Sequence, residues 1–362
     1  METDSPDNLT SVTLAALVAN NQRPTNLHKY MNTISMIILC MVFLFGTVGN
    51  GLVIYVTGFR MRRTVNSIWF LNLALADFLF TSFLIFLIIS LAKDYQWPFG
   101  WFMCKLSSVI AIGNMFASVF FLTAISVDRC LCTWVVVWSQ NHRTVRKAQL
   151  ICVCIWLASL ACSIPYGHSR CVYERRNFTV CALSQTANKL ALTHFQFFMG
   201  FLIPMLAITG SYVAIGMRMR RFNRAKSRKS LRIIIAIILA FVVCWVPYHV
   251  HKYIEAYGNK DKILTIRRFL GPLSSNLTTV NSCLNPLLYV FMCDEFIKKL
   301  KQSLFHVLET ALAEDYLSFA TNNSRSNISR LFRRSESGSA NRKNETSATI
   351  AETFTQVPTG EE

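Results

Sequence analysis

The chain has 362 residues, 52% hydrophobic and only 15% charged, against about 25% charged in soluble domains, so much of its surface is kept from water. It nonetheless carries 37 Lys and Arg against 19 Asp and Glu, a formal charge of +18. That excess lies in short blocks between apolar runs, which argues against nucleic-acid binding through a soluble basic face and matches the membrane pattern.

No basic segment followed by an apolar core opens the chain, so no cleaved signal peptide is expected, and residues 1–30 read as an extracellular tail. A hydrocarbon core of about 30 Å takes around 20 helical residues. Seven runs reach that length: roughly 31–58, 65–92, 101–134, 146–166, 189–221, 230–257 and 264–291. Open sheets cannot span lipid, and the runs lack the alternation of a barrel strand, so they are expected to be helices. The fold class is therefore an all-α membrane protein, a seven-transmembrane helix bundle over residues 31–291. Nothing repeats internally, which disfavours inverted-repeat transporters. No His-Glu-x-x-His, Gly-x-Ser-x-Gly or paired mid-membrane carboxylate is present, which disfavours an enzyme.

Orientation follows from the loops. Arg60, Arg62 and Arg63 lie in the first connection, Arg143, Arg146 and Lys147 in the third, and Arg218 to Lys229 in the fifth. The positive-inside rule puts these in the cytosol and the N-terminus outside. Asn8 and Asn177 then head sequons on the outer side and are the expected glycosylation sites, whereas Asn276 in the seventh run reads as a chance match. Most cysteines sit in apolar runs, where packing is the expected role; Cys104, Cys171 and Cys181 fall in outer segments, where disulfides persist. After the seventh run, residues 294–308 put Phe296, Ile297, Leu300, Leu304 and Phe305 on one face, as in an amphipathic helix lying on membrane lipid. The Ser-, Thr-, Asn- and Arg-rich stretch 320–362 reads as a disordered cytosolic tail.

Ionisable groups inside a bilayer are costly and functional by default. Asp77 is the one acid clearly in mid-span, and Asn50, Asn114, Ser118, Asn281 and Asn285 fall near the middle of their helices. Two readings stand: a hydrated cage for a cation, or a neutral, hydrogen-bonded Asp that ties helices together. Asp128-Arg129 closes the third run. It reads either as a cap with a snorkelling Arg or as a switch in which Asp128 holds Arg129 until a partner takes it.

Taken in order, Gly49-Asn50, Leu73-Ala74-Leu75-Ala76-Asp77, Asp128-Arg129-Cys130, Trp156, Pro204 with Tyr212, Cys244-Trp245-Val246-Pro247 and Asn285-Pro286-Leu287-Leu288-Tyr289 supply one marker per helix. Together they resemble the signature of rhodopsin-like (class A) G-protein-coupled receptors over about residues 30–308. The resemblance implies an allosteric sodium ion at Asp77, Asn114, Ser118, Asn281 and Asn285, with Trp245 and Ser282 beside it, and no other cofactor. It implies an activation switch of Asp128, Arg129, Tyr212, Trp245, Pro247, Asn285, Pro286 and Tyr289, and a disulfide from Cys104 to Cys181 that leaves Cys171 over. Two departures stand out. Lys226-Ser227-Arg228-Lys229 offers no acid at the inner end of helix six, so Asp128 alone is expected to restrain Arg129. The proline usual in the second inner loop is replaced within Thr133-Trp134-Val135-Val136-Val137.

Val137 to Val145, Trp97-Pro98-Phe99-Gly100, Asn114 to Phe120 and Asn281 to Pro286 are similar to leukocyte chemoattractant receptors. Thr64 to Phe80 and Asn223 to Lys226 look most like the chemerin receptor. Gly58 to Met61 and Trp97 to Trp101 look like formyl peptide receptors, and Pro165-Tyr166 and Pro247 to Val250 like the second prostaglandin D2 receptor. The residues add a chemical hint: Ala111-Ile112-Gly113 has no acid for an amine ligand, while Arg170, Lys252, Arg267 and Arg268 line the outer side with few acids. Basic groups at a pocket mouth suit a carboxylate. Gln196 is neutral where formyl peptide and prostaglandin relatives place a basic residue, and Tyr248 completes the expected ligand set with His249 and Trp245 as an aromatic floor. The expected function is a plasma-membrane receptor for a peptide chemoattractant with an exposed carboxylate, a lipid mediator or a non-signalling decoy being the alternatives. Its expected partners are an inhibitory-class G protein and, after phosphorylation of tail residues such as Ser335, Ser337 and Thr346, arrestin.

Overall fold

The computed structural model describes residues 26–175, 178–221, 225–257, 260–292 and 297–302, and their side chains except at 26–28, 175, 220–221, 225–238, 260–269 and 287–292. Helix α1 (Asn26–Tyr55) runs into a π-turn at Val56–Arg60. It is followed by α2 (Val65–Ala92), α3 (Gly100–Trp134) and the short α4 (Val136–His142). Next come α5 (Val145–His168) and the strands β1 (Arg170–Arg175) and β2 (Phe178–Leu183). The fifth span is α6 (Lys189–Phe197), a π-turn at Phe198–Leu202 and α7 (Ile203–Arg221), before α8 (Ala225–Tyr257) and α9 (Lys260–Met292).

Among the described residues, five stretches, beginning at Lys29, Val65, Gly100, Val145 and Lys189, are long and apolar enough to cross a membrane. Helices α8 and α9, of 33 residues each, complete the seven-helix bundle; at 1.5 Å per residue each reaches about 50 Å. The bundle is inverted relative to a soluble core. Phe45, Leu150, Leu157, Leu206 and Val243 face outward, while Asn50, Asp77, Asn114, Ser118 and Asn285 are buried. Such a distribution leaves apolar surface for lipid and satisfies polar groups internally.

Helix ends follow local chemistry. Thr64 caps α2 reciprocally: its hydroxyl accepts from the Ser67 N–H at 3.2 Å, and the Ser67 hydroxyl accepts from the Thr64 N–H at 2.8 Å. Helix α1 starts at Asn26, five residues before the expected boundary at 31, because helical hydrogen bonding continues through the polar Asn26-Leu27-His28-Lys29-Tyr30 beyond the apolar run. In the fifth span, Pro204 cannot donate to the Gly200 carbonyl, and the wider π-turn occupies that stretch. A Cβ at Gly200 would sit 2.7 Å from Met115 Cε and 3.3 Å from Phe116 Cε1, so the end of the Met115 side chain would have to shift to admit one.

Helix α3 packs against α2, α5 and α7, and α9 packs against α1 and α8. Met115, Phe116, Val119, Tyr166, Phe241, Cys244 and Trp245 form the central apolar cluster. Strands β1 and β2 pair antiparallel, Arg170 opposite Leu183 and Arg175 opposite Phe178, so the outer segment that holds Cys171 and Cys181 is a hairpin. A Cys104–Cys181 disulfide ties it to the start of α3 with Cα atoms 5.6 Å apart, and Cys171 stays a free thiol opposite Ala182. The turn before α3 clamps the same strand, β2: the Trp97 N–H donates to the Thr179 carbonyl at 2.8 Å and the Thr179 hydroxyl donates back to the Trp97 carbonyl at 2.7 Å. Residues 297–302 are helical; the remainder of 294–308, the tail 320–362 and the glycosylation candidates Asn8 and Asn177 lie outside the described residues. Asn276 donates from its buried amide to Ser35 Oγ at 2.9 Å, which leaves no place for a glycan.

Candidate functional site

At the hairpin end, β1, α6 and α8 bring Arg170, Gln196, Tyr248 and Lys252 into one neighbourhood. Gln196 is 4% exposed; its amide donates to Tyr248 Oη at 3.2 Å and to Met115 Sδ at 3.1 Å. Lys252 pairs with Glu255 one helical turn on, at 3.3 Å, and its ammonium lies 5.8 Å from the Tyr248 ring centre. The Arg170 guanidinium interacts electrostatically with Tyr248, Glu255 and Lys252, but among the described residues it has no hydrogen-bond or ion-pair partner. Burial pulls its pKa below the ordinary arginine value, with Tyr248 and Glu255 acting in the opposite direction. Beneath them Trp245, Tyr248 and His249 pack ring on ring at 5.5–6.1 Å. The backbone at Arg267 and Arg268 belongs to α9; their side chains lie outside the described residues.

Midway down, Asp77 is fully buried. Its carboxylate accepts from Asn285 Nδ2 at 2.5 Å and from Ser118 Oγ at 3.3 Å. Asn114 Oδ1 accepts from the same Ser118 hydroxyl at 3.3 Å, and its amide donates to Ser282 Oγ at 3.1 Å. The set joins α2, α3 and α9. Asn281 is buried in α9 but, among the described residues, shares no side-chain hydrogen bond with this group. One carboxylate with hydroxyl and amide oxygens is a hard-oxygen donor set, the chemistry suited to a hard cation. Asn50 adds a tie from α1, donating to the carbonyls of Gly46 (2.9 Å) and Ser282 (3.2 Å).

At the opposite end the structure corrects an expectation. Asp128 does not hold Arg129; both its oxygens accept from Arg143, which follows α4, at 2.8 Å each. Arg143 also donates to Asn66 Oδ1 at 2.5 Å, so α2, α3 and α4 meet at one guanidinium. That hydrogen bonding holds the Arg143 pKa above its ordinary value, with burial working the other way. Arg129 has no side-chain hydrogen bond or ion pair among the described residues, and lies close enough to Tyr212 to interact with it electrostatically. Tyr212 Oη accepts from Ser126 Oγ at 3.2 Å. Pro247 and Pro286 sit inside α8 and α9; the Tyr289 side chain lies outside the described residues. Val135, Val136 and Val137 project apolar surface around α4, Val137 being 71% exposed.

Residues 49–289 match the family model of the 7 transmembrane receptor (rhodopsin family). The chain belongs to the rhodopsin family of seven-transmembrane receptors. It is 40% identical over 301 residues to the C3a anaphylatoxin chemotactic receptor of Danio rerio, covering 82% of each chain. It is 40% identical to the Chemerin-like receptor 1 of Homo sapiens (77% of this chain, 80% of the relative). It is 38% identical to the Formyl peptide receptor 2 of Mus musculus (78% and 86%). The protein is thus a class A G-protein-coupled receptor of the chemoattractant group and not an enzyme. It is a multi-pass plasma-membrane protein whose partners are an extracellular ligand and a G protein.

This receptor's contacts differ in how much signal they leave in the sequence. Glu255 as the neutraliser of Lys252 was legible, because an acid three residues on lies on the same helical face. Arg143 appeared only as one cation of a basic block, and nothing in the spacing of Asp128 and Arg143 announces a bidentate pair. His194, which bridges α6 to α8 through Tyr253 Oη (3.0 Å) and Tyr257 Oη (2.9 Å), carries no sequence signal at all.

Proposed function

We propose that this receptor takes a peptide chemoattractant through a carboxylate, with the hairpin end outside the cell, as the positive-inside rule requires, and that it signals through an inhibitory-class G protein. The observation that carries the reading is Arg170: a half-buried guanidinium without an ion pair among the described residues, beside a Lys252 whose charge Glu255 already offsets. A carboxylate would supply the missing partner by charge-assisted hydrogen bonds. The relatives reported above are named for C3a, for chemerin and, in one case, for a formyl peptide, which favours a peptide over a lipid mediator. Gln196 supports the same choice: held by Tyr248 and Met115, it offers a neutral amide where a second cation would grip a compact acid.

Binding at the hairpin end shifts an existing equilibrium toward a state in which the ends of α7 and α8 part and Arg129 meets the G protein. The apolar surface at Val135 to Val137 gives that partner a contact without the usual loop proline. Calcium release and chemotaxis follow downstream, and phosphorylated tail serines and threonines recruit arrestin through their added charge. Sodium bound at Asp77 favours the resting state.

The test is inhibition of cyclic AMP in cells expressing the receptor, challenged with chemerin peptide, C3a, formyl peptide and prostaglandin D2, each repeated with Arg129→Ala and Arg170→Ala. A response to one peptide, lost in Arg129→Ala and right-shifted in Arg170→Ala, supports the reading. A prostaglandin response alone would assign a lipid ligand. Binding without any response would make the protein a decoy.

A further inference from the structure

A cavity of about 440 Å³ opens on the bundle wall at the Arg129 end, apart from the Arg170 neighbourhood at the hairpin end. That volume lies within the range of about 300–1,000 Å³ typical of ligand sites. Its walls are apolar: Trp69 of α2, Phe120, Ala124 and Val127 of α3, and Ile151 and Ile155 of α5. Its polar end holds His142, Lys147 and the Asp128–Arg143 pair.

Three features say what kind of molecule fits. Four of the lining side chains, Val127, Leu131, Trp138 and Ile151, are themselves exposed and apolar, so the opening faces hydrocarbon rather than water and is reached from within the bilayer. The one acid in the lining, Asp128, is already held by Arg143, while Lys147 and His142 are exposed, so the polar end attracts an anion. Finally, Trp69 is 3% exposed and its buried indole N–H has no hydrogen-bond partner among the described residues. A buried donor of this kind is normally paired, and an occupant with an acceptor oxygen in its apolar part would pair it.

We propose that this cavity binds an anionic phospholipid of the adjoining leaflet. One acyl chain lies between α3 and α5, the phosphate is held by Lys147 with His142, and the ester region supplies the acceptor that Trp69 lacks. An ordinary lipid-facing groove has no reason to combine a concave wall, a basic rim and an unpaired buried donor.

The full-length receptor, purified in detergent, is titrated with phosphatidylserine and with phosphatidylcholine of the same acyl chains, and retained lipid is counted by native mass spectrometry. One phosphatidylserine is expected to stay bound in preference to phosphatidylcholine. Each Lys or Arg beside an anionic lipid contributes roughly fivefold, so Lys147→Gln should cut that preference by about fivefold. Ala124→Phe should abolish retention by filling the cavity, and Lys105→Gln at the other end of α3 should change nothing. Lys147 is exposed, so its variant stays interpretable even where Ala124→Phe fails to fold. Equal retention of the two lipids, or an unchanged preference in Lys147→Gln, would overturn the proposal in favour of nonspecific annular lipid. Displacement by oleate with the same Lys147 dependence would overturn the phospholipid assignment and make the occupant a free fatty acid.

Discussion

Asp128 and Arg143 face each other fork to carboxylate, the geometry in which arginine outperforms lysine because its planar N–H groups bind both oxygens at once. Their side chains are 15% and 25% exposed, so the pair is only partly screened and is worth about 1–2 kcal/mol. It ties the segment after α4 to α3 while Arg129 has no side-chain partner among the described residues, so under the proposed function the restraint lies one residue away from the arginine proposed to meet the G protein. Arg143→Ala should therefore raise basal nucleotide exchange several-fold in membranes supplied with purified G protein, with Arg143→Lys intermediate; an unchanged basal rate would show that the pair restrains nothing. A second expectation concerns the ligand. Hydrogen bonds to charged groups contribute about 1.5–3 kcal/mol, so Arg170→Ala should weaken a carboxylate ligand by roughly 10- to 100-fold in a radioligand competition assay. Lys252→Ala should cost less, since Glu255 already offsets that charge. Equal losses in the two variants would contradict the assignment of Arg170 as the anchor.

Among the elements, two glycines separate packing from intrinsic helix preference. A Cβ at Gly167, near the end of α5, would lie 2.3 Å from Val109 Cγ2 and 3.2 Å from the Lys105 carbonyl. The β-branched Val109 is stiff and the backbone cannot retreat, so Gly167→Ala should destabilise by about 1–3 kcal/mol, as overpacking does. At Gly216 in α7 nothing among the described atoms lies within 4 Å, so Gly216→Ala should gain the roughly 0.5–1 kcal/mol by which Ala exceeds Gly in a helix. Opposite shifts in the thermal midpoint of the purified receptor are expected; a rise in both would mean that α5 can move away from α3. The seven spans were legible because the apolar runs had to match the hydrocarbon thickness, and their bounds moved mainly where polar residues extend a helix past the lipid, as at Asn26. The π-turn in the fifth span was not legible: its cause is a local clash between Pro204 and a regular ladder, which apolar length does not register. The hairpin was missed too, although Val172, Tyr173 and Phe178-Thr179-Val180 have strand chemistry. Its register is set by the disulfide and by Trp97, contacts distant in sequence.

Over the whole molecule, the Asp77 group is where three helices are joined through one carboxylate. Its members were legible from the rarity of polar residues in mid-span, but their bonding was not: Ser282 is bonded into the set through Asn114, whereas Asn281 shares no side-chain hydrogen bond with it among the described residues. In the arrangement seen, Asn285 of α9 donates directly to Asp77 of α2, and Ser118 of α3 donates to the other oxygen. A cation entering the group would take over the carboxylate and hold α2, α3 and α9 in one relation, while an agonist favours a different one. Two ligands that prefer different states of one equilibrium must oppose each other, by a coupling on the order of 1–3 kcal/mol. Replacing sodium with an impermeant organic cation at equal ionic strength should therefore raise agonist affinity several-fold in the wild-type receptor. In Asp77→Asn the amide keeps the shape of the carboxylate but not its charge, so the same exchange of salts should leave affinity unchanged. The comparison at constant ionic strength separates this effect from screening of Arg170 and Lys252, which acts on both receptors alike. If sodium lowered agonist affinity equally in Asp77→Asn, the ion would be acting at the surface. The Asp77 group would then be a set of hydrogen bonds tying helices together and nothing more.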